Sequence, residues 1–447
     1  MMIWGGLLYL KNLDFLSVYD FSKDRDILLD SFSNQVVSLY FRYIPNSEWG
    51  RNKYFVYLAL QLYWMLGKCK RKRPALQKDF EELRFINHKN GTDSLIYQEG
   101  FLKQSDSSFV LDWIINHQTE DTLALNYCSI QNASYNQKDK LWSLDLADCF
   151  SKKACTIKSK MLLNCAGVWT DKVNKQFGIQ SPYKHVYSKG VFVGYERPKT
   201  HHLPLIFEMG THGDTLAFIP WGPVSLWGPT ETMEKSIGRG YSITPEDIDF
   251  LSKHASRNLI ASLADSQIIS LRCGLRPLAV KKTFDADCYP LDISRHHKIV
   301  EDSGLPWISI YGGKMSGCIS MAENVAKKIS TRISPGLKAF LLPDDKTRKI
   351  RYSCFPGLHE KVSAIDWCVS HEFCCTLEDY LRRRTNISQW TPIEGLGFHD
   401  ENVQHLKELS AHLPEYEKSN HEHVLREYKN AVHRNFDRLI DGANLKT

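Results

Sequence analysis

The segment from Leu305 to Met321, Leu-Pro-Trp-Ile-Ser-Ile-Tyr-Gly-Gly-Lys-Met-Ser-Gly-Cys-Ile-Ser-Met, constrains the fold more than any other stretch of this chain. Trp307 to Tyr311 is short, apolar and rich in isoleucine and aromatics, which predicts a buried strand. Gly312-Gly313 ends that strand, and Ser320 to Lys328 carries a helical pattern. A strand that turns through glycines into a helix leaves backbone N–H groups free and puts no side chain in the way of a close ligand. Lys314 adds a positive charge at the turn. Two readings fit the segment alone: a ligand-binding turn, and a tight turn carrying a solvated lysine.

At 447 residues the chain is long enough for two or three domains with proper cores. Its 57 basic and 51 acidic residues leave a net charge of +6, too mild and too dispersed for a nucleic-acid partner. Twelve cysteines are present without a Cys-x-x-Cys pair. Cys165, Cys318, Cys368 and Cys374 lie in apolar or mid-helix contexts, which predicts small buried thiols in a reducing, cytoplasmic setting. Met1 to Leu10 is apolar but has neither a basic start nor a small-residue cleavage site, so no signal peptide is expected. No apolar run reaches the roughly 18 residues that would span a bilayer.

Met2 to Leu10, Met-Ile-Trp-Gly-Gly-Leu-Leu-Tyr-Leu, opens the chain with a core-like motif, and Lys11 to Phe32 continues as a helical pattern. Phe15, Val18, Tyr19 and Leu28 are expected to face inward, with Lys23, Asp24, Arg25 and Asp26 in water. Tyr54 to Gly67 is apolar nearly all round and runs into Lys68-Cys69-Lys70-Arg71-Lys72-Arg73. That combination suits either a helix pressed onto an anionic membrane surface or a buried helix with a solvated basic end. Ser105 to His117 predicts a capped helix, and strands are expected near Ala124–Ile130 and Leu141–Leu146. Met161 to Asp171 predicts a buried strand, a small-residue turn and a helix capped by Thr170.

Residues 185–280 predict an antiparallel sheet: a strand over Ser188–Tyr195, and a hairpin of Leu216–Trp221 and Val224–Trp227 around Gly222-Pro223. Thr244-Pro245-Glu246-Asp247 then starts a helix, with a cap, proline at its first position and early acids. Pro335 to Pro356 is expected to be a linker, followed by helices to the C-terminus. His421-Glu422-His423, His201-His202 and His296-His297 lack convergent ligands, so no metal site is expected. The Gly-x-Gly-x-x-Gly turn of dinucleotide-binding units is absent; Gly238-Arg239-Gly240 lacks both the preceding strand and the third glycine.

Several of these segments, in this order, resemble the FAD-dependent glycerol-3-phosphate dehydrogenase family of the DAO-like superfamily. Trp4-Gly5-Gly6-Leu7-Leu8-Tyr9-Leu10 resembles the family's His-Gly-Gly-Leu-Arg-Tyr-Leu, and Asn164-Cys165-Ala166-Gly167-Val168-Trp169 its Asn-Ala-Ala-Gly-x-Trp. Phe218–Trp221, Trp227–Glu231 and Thr244–Ile248 follow the family in order and spacing. Gly274-Leu275-Arg276-Pro277-Leu278 pairs with the later Gly312-Gly313-Lys314, and Leu377 to Thr385 resembles its Leu-Glu-Asp-x-Leu-x-Arg-Arg-Thr signature. Relative to the family the chain looks truncated before Met1.

The resemblance implies a fold class of α/β plus α+β. Residues 1–334 would form an FAD-dependent oxidoreductase domain, with three-layer flavin-binding parts (about 1–50, 95–180 and 285–334, incomplete at the N-terminus) and antiparallel-sheet substrate parts (about 51–94 and 181–284). Residues 335–356 would link this to a C-terminal helical domain at 357–447. The implied activity is oxidation of an alcohol carbon by hydride transfer to FAD, with electrons passed to a quinone or another acceptor. Gly5, Gly6, Leu7, Ala166, Gly167, Gly312, Gly313, Lys314 and Met315 would contact the flavin, Arg276 would hold a small-molecule substrate, and Lys314 would stabilise charge. The family's peripheral membrane enzymes imply a contact with the inner face of the membrane, while the oligomeric state stays open.

Three departures bear on the substrate. Trp4 stands where the family has histidine, Leu8 replaces an arginine, and Ile319 takes the place of the arginine that follows Gly-Gly-Lys. A phosphate needs several cationic or N–H donors, so these losses point away from glycerol 3-phosphate toward a less charged alcohol, amine or hydroxy acid. A truncated, catalytically inactive homologue without FAD and an amine or amino-acid oxidase of the same fold are the alternatives.

Overall fold

The computed structural model describes residues 2–45, 52–78, 80–87, 93–209, 214–234, 237, 242–264, 266–284, 289–333, 348–414 and 421–440. Gly238-Arg239-Gly240 and most of the expected linker, 335–347, lie outside them.

In chain order, β1 (Met2–Ile3) and a 3₁₀ turn (Leu7–Asn12) lead to α1 (Phe15–Ser31), β2 (Val36–Ile44), α2 (Lys53–Leu66), β3 (Ala75–Gln77), β4 (Ser94–Leu102) and α3 (Asp106–Asn116). Ser105 caps α3 through the Ser108 N–H, as its sequence predicts. A meander of β5 (Cys128–Asn136), β6 (Leu141–Asp148) and β7 (Ala154–Ser159) precedes β8 (Leu162–Asn164) and α4 (Thr170–Gln176). The first meander strand starts later than expected, because Leu123 and Leu125 are exposed in the loop that precedes it. Then come β9 (Tyr183–Glu196), β10 (Leu205–Glu208), β11 (Thr215–Trp221), β12 (Val224–Gly228), β13 (Thr232–Glu234), α5 (Pro245–Asn258), α6 (Ala261–Ala264) and β14 (Ser270–Lys281). Thr244 and Asp247 form the capping box of α5.

Ten of these strands make one sheet in the order β1-β4-β2-β10-β11-β12-β9-β13, with β14 on β9 and β3 on β4; the β10–β2 pair is parallel. Among the described strands β14 pairs with β9 alone, along twelve positions, so Pro277 sits on an edge where its missing N–H costs no ladder bond. A second, three-stranded sheet joins β15 (Lys298–Glu301), β16 (Trp307–Tyr311) and β8, with β16 and β8 parallel. A 3₁₀ turn (Met315–Gly317) leads from β16 into α7 (Cys318–Ile333).

The C-terminal part contains a short hairpin, β17 (Tyr352–Ser353) with β18 (Val362–Ser363), and α8 (Ile365–His371), α9 (Ile387–Trp390), α10 (Val403–Ser410) and α11 (His421–Ile440). Asp379 to Arg384, within the predicted signature, forms a wide π-type turn. The main core runs continuously from the large sheet (Phe218, Trp227, Val191) through α5 into these helices (Cys368, Tyr380, Leu406).

Helix α1 corrects the sequence reading of its own faces. Val18, Phe21, Ser22, Arg25, Leu28 and Leu29 form the buried stripe, at three- and four-residue spacing. Arg25 therefore falls on the inward face with its neighbours Asp24 and Asp26, all three 3% exposed or less, while Phe15 and Tyr19 are exposed. Thr170 likewise begins α4 rather than capping it: Trp169 is the cap, and the Thr170 hydroxyl donates to the carbonyls of Gly167 and Ile310. Cys368 and Cys374 are buried as expected, but Cys165 is exposed.

Candidate active site

The two parallel strands β8 and β16 end side by side, and a glycine turn follows each. Past β16, Gly312 and Gly313 take φ of 63° and 92°, a left-handed conformation that side chains resist. A Cβ on Gly312 would also press on Ala279 at 3.1 Å. Past β8, Gly167 takes φ of 57° and has nothing within 4 Å of the position a Cβ would occupy. Ala166 and Gly167 thus form an open turn, anchored by Asn164, which accepts from the Ala166 N–H and donates to the Thr170 carbonyl and to Asn174. Asn174 extends the buried network to the Tyr311 and Ser309 hydroxyls on β16. The crevice outside the carboxyl ends of parallel strands is where open α/β sheets take ligands.

A third backbone segment, Gly5-Gly6-Leu7, is pinned from below by the buried charges of α1. Glu99, fully buried on β4, accepts the Gly5 N–H at 3.2 Å and an Arg25 N–H at 2.9 Å, and the Tyr63 hydroxyl also donates to it. Ser22 donates to the Gly5 carbonyl. A Cβ on Gly5 would lie 2.4 Å from the Tyr63 hydroxyl and 2.7 Å from Arg25. Close packing on this network therefore accounts for the glycine at position 5. Gly6, at φ 92°, turns the chain toward Tyr9 and Phe21, and Leu7 packs against the neighbouring apolar cluster. Among the described residues the indole N–H of Trp4 and the hydroxyl of Tyr9 are buried without a hydrogen-bond partner, and burial pushes the Tyr9 phenol up to about 12.

Lys314 extends over the rings of Phe21 and Tyr9, 4.3 and 5.0 Å from their centroids. Burial, and then repulsion from Arg295, lowers its ammonium to about 7, so it is poised between charged and neutral. Met315 turns away and packs with the cluster of Ile3, Leu28 and Phe109.

Arg276 lies flat across β9: a Cβ on Gly190 would come within 2.3 Å of its guanidinium. It donates to the Ser188 hydroxyl at 3.3 Å and to Glu231 at 3.2 Å, and Arg295 donates to the other Glu231 oxygen at 2.5 Å. Two guanidinium groups thus converge on one carboxylate, and the Arg295 charge acts on both Arg276 and Lys314. Between Arg276 and Arg272, Gly274 leaves the strand face open, with nothing within 4 Å of its Cβ position. Arg272 reaches Asp106 at 3.3 Å and stacks over Trp221.

The structure places the predicted Gly6, Lys314 and Arg276 around a common centre, through Tyr9, Phe21 and Arg295. Sequence reasoning missed Arg295, Tyr9, Phe21 and the bridging role of Glu231. Glu231 closes the Trp227–Glu231 run, and Arg295 precedes the His296-His297 pair, so each had a signal beside it. Among the described residues no His, Cys, Asp or Glu cluster could hold a metal ion.

No family model matches the chain. Its sequence is 25% identical over 342 residues to the aerobic glycerol-3-phosphate dehydrogenase of Staphylococcus aureus (strain MRSA252), covering 74% of this chain and 59% of that protein. The fold of this chain is similar to that of the glycerol-3-phosphate dehydrogenase from Bacillus halodurans complexed with FAD. The TM-score is 0.65 at 16% identity, over 94% of this chain and 86% of that one. The L-alpha-glycerophosphate oxidase from Mycoplasma pneumoniae with FAD bound is similar at a TM-score of 0.51 and 14% identity, over 70% of this chain and 78% of that one. The chain spans about three fifths of the length of the curated relatives it matches.

Proposed function

We propose that the chain is a flavin-dependent dehydrogenase of the glycerol-3-phosphate dehydrogenase type, binding FAD across the carboxyl ends of β8 and β16. The observation that carries this reading is the convergence of two glycine turns at those strand ends with Lys314 and the Arg276–Glu231–Arg295 bridge. The open space before Gly167 and Gly274 fits a planar ring held by backbone, and the Gly6, Gly167, Gly312 and Gly313 segments would hold it. FAD, when bound, would accept a hydride from the substrate carbon. Arg276 and Arg295 orient an oxygen-bearing substrate through their fixed donor forks. Glu231 offsets part of their charge, and Lys314 is only partly charged near neutrality, so the site suits a substrate less charged than a phosphate dianion. A quinone or another acceptor would take the electrons onward.

Adding FAD to the purified chain and recording its visible spectrum after gel filtration tests this reading. Retained flavin bands, with bleaching by one of a panel of alcohols and hydroxy acids, are expected; bleaching by amines instead would favour an amine oxidase. A colourless protein would leave the inactive-homologue reading. In loaded protein, Arg276→Ala is expected to cut turnover at least ten-fold while flavin content stays within two-fold, about what loss of one charged hydrogen bond predicts.

A peripheral membrane contact is supported by the outer faces of α1 and α2. Leu16 on α1 and Phe55, Leu58 and Met65 on α2 are all more than half exposed, as is Leu13 just before α1, beside the basic run from Lys68. Apolar side chains flanked by lysines suit the anionic inner leaflet. Among the described residues no helix is long and apolar enough to cross a membrane.

A further inference from the structure

His185 occupies a position that the reading above leaves unused. It lies on β9, 5% exposed, beside the Tyr311 ring at 4.9 Å. The backbone N–H of Gly312 points at its Nε2, 2.9 Å away. A backbone N–H can only donate, so Nε2 must be the bare, accepting nitrogen, and the ring proton of the neutral imidazole sits on Nδ1. Nδ1 lies 3.2 Å from Asp171 Oδ2 but makes no hydrogen bond to it; that oxygen instead accepts the His185 backbone N–H at 2.8 Å. Asp171 stands in the first turn of α4, directly after the Ala166–Gly167 turn. His185 therefore joins the start of α4, through its backbone, to the turn after β16, through its ring.

Other groups of the molecule carry less. The Asp14–Ser17–His296 cluster is satisfied within itself, with Ser17 serving α1 as part of its cap. The buried Cys368 and Cys374 have no observation that points to a ligand, and the polar hollow at the start of α3 is lined by Arg348 and Asp112, which are already paired.

We propose that His185, tied through its backbone N–H to Asp171 and accepting the Gly312 N–H at Nε2, is a positioning residue that fixes the Gly312–Gly313 turn and so aims Lys314. The Gly312 amide could point elsewhere, since glycine resists few backbone rotations. Accepting that one N–H locks the peptide between Tyr311 and Gly312, where the turn leading to Lys314 begins. The aiming of Lys314 rests on the proposed flavin reaction; the clamp itself does not.

Nitrogen-15 NMR of the full chain without flavin tests the clamp directly. The His185 signals, assigned by their loss in His185→Gln, are expected to show a protonated Nδ1 and an unprotonated Nε2. The opposite tautomer would overturn the proposal. Hydrogen exchange gives a second readout. His185→Phe should speed exchange at the Gly312 amide about ten-fold, the loss of one hydrogen bond, with amides of β10 in the large sheet unchanged as the folding control. His185→Gln, whose side-chain oxygen reaches the Nε2 position, should restore protection. Equal exchange in the parent and His185→Phe would sink the clamp. In FAD-loaded protein, turnover should fall in His185→Phe and recover in His185→Gln, and failure to recover would remove the positioning role. A chain that takes up no FAD yet shows the Nδ1–H tautomer and the protected amide would defeat the proposed function while the clamp stands.

Discussion

At the scale of single residues, the site is a set of polar groups whose behaviour is governed by neighbours distant in sequence. Lys314 is the sharpest case. Its ammonium is lowered from 10.5 to about 7, first by burial and then by Arg295. A lysine with a depressed folded-state value binds fewer protons folded than unfolded between those two pH values. Its burial therefore penalises stability in full below pH 7, and the penalty fades as pH rises toward 10.5. Lys314→Met is expected to be more stable than the parent at pH 6, by about 1–2 kcal/mol after allowing for solvent at a half-buried site. Urea titrations at pH 6 and 9.5 should show that gain shrinking; a constant gain would mean that the lysine does not titrate there. Arg276 makes the complementary point: its placement depends on Gly190 of β9 beneath it and on Glu231, in the link between β12 and β13, beside it.

Elements decide which face a residue joins. The charged run Lys23–Asp26 reads as solvent-facing, yet the helical period carries Arg25 onto the same stripe as Val18 and Leu28. Burial is tolerated because Glu99 and Asp26 pair with the guanidinium and Tyr63 accepts from it. Breaking such a network leaves an uncompensated buried charge, so Glu99→Gln is expected to destabilise the chain by about 3 kcal/mol, read as a lowered urea midpoint. An unchanged midpoint would show that Asp26 alone suffices. Helix α2 is the converse, with apolar residues on its outer as well as its inner face. Leu58→Asp, on the outer face, should reduce co-sedimentation with anionic vesicles several-fold without altering the melting temperature by more than a few degrees. Equal sedimentation of parent and variant would remove the membrane contact.

For the whole molecule, the C-terminal helices and the sheet form one core, and the contacts that lock them are specific. Asp379 accepts from the Tyr127 hydroxyl of the meander region and from the backbone N–H groups of Cys375 and Thr376, so the signature resembling Leu-Glu-Asp-x-Leu-x-Arg-Arg-Thr works as a docking device. On the sheet, a Cβ on Gly222 would lie 2.4 Å from Trp390, and Gly222 also has φ of 57°. Gly222→Ala is expected to cost about 2 kcal/mol, from strain and a displaced indole, and calorimetry would show it as a lower melting temperature; no change would mean that Trp390 moves aside freely. Much of this architecture was legible beforehand. The caps of α3 and α5, the Gly222-Pro223 hairpin, the strand–glycine–helix turns at Gly167 and Gly312 and the resemblance itself all rest on local patterns a few residues long. Local spacing determines those because backbone conformation and capping are settled between near neighbours in sequence. What only the tertiary structure decided was the pairing of Arg295 with Arg276 through Glu231, the burial of Arg25 on Glu99, the exposure of Cys165 and the contact of the Gly312 N–H with His185. Each depends on groups brought together from separate parts of the chain, where charge and solvent access are properties of the packed assembly and of no single segment.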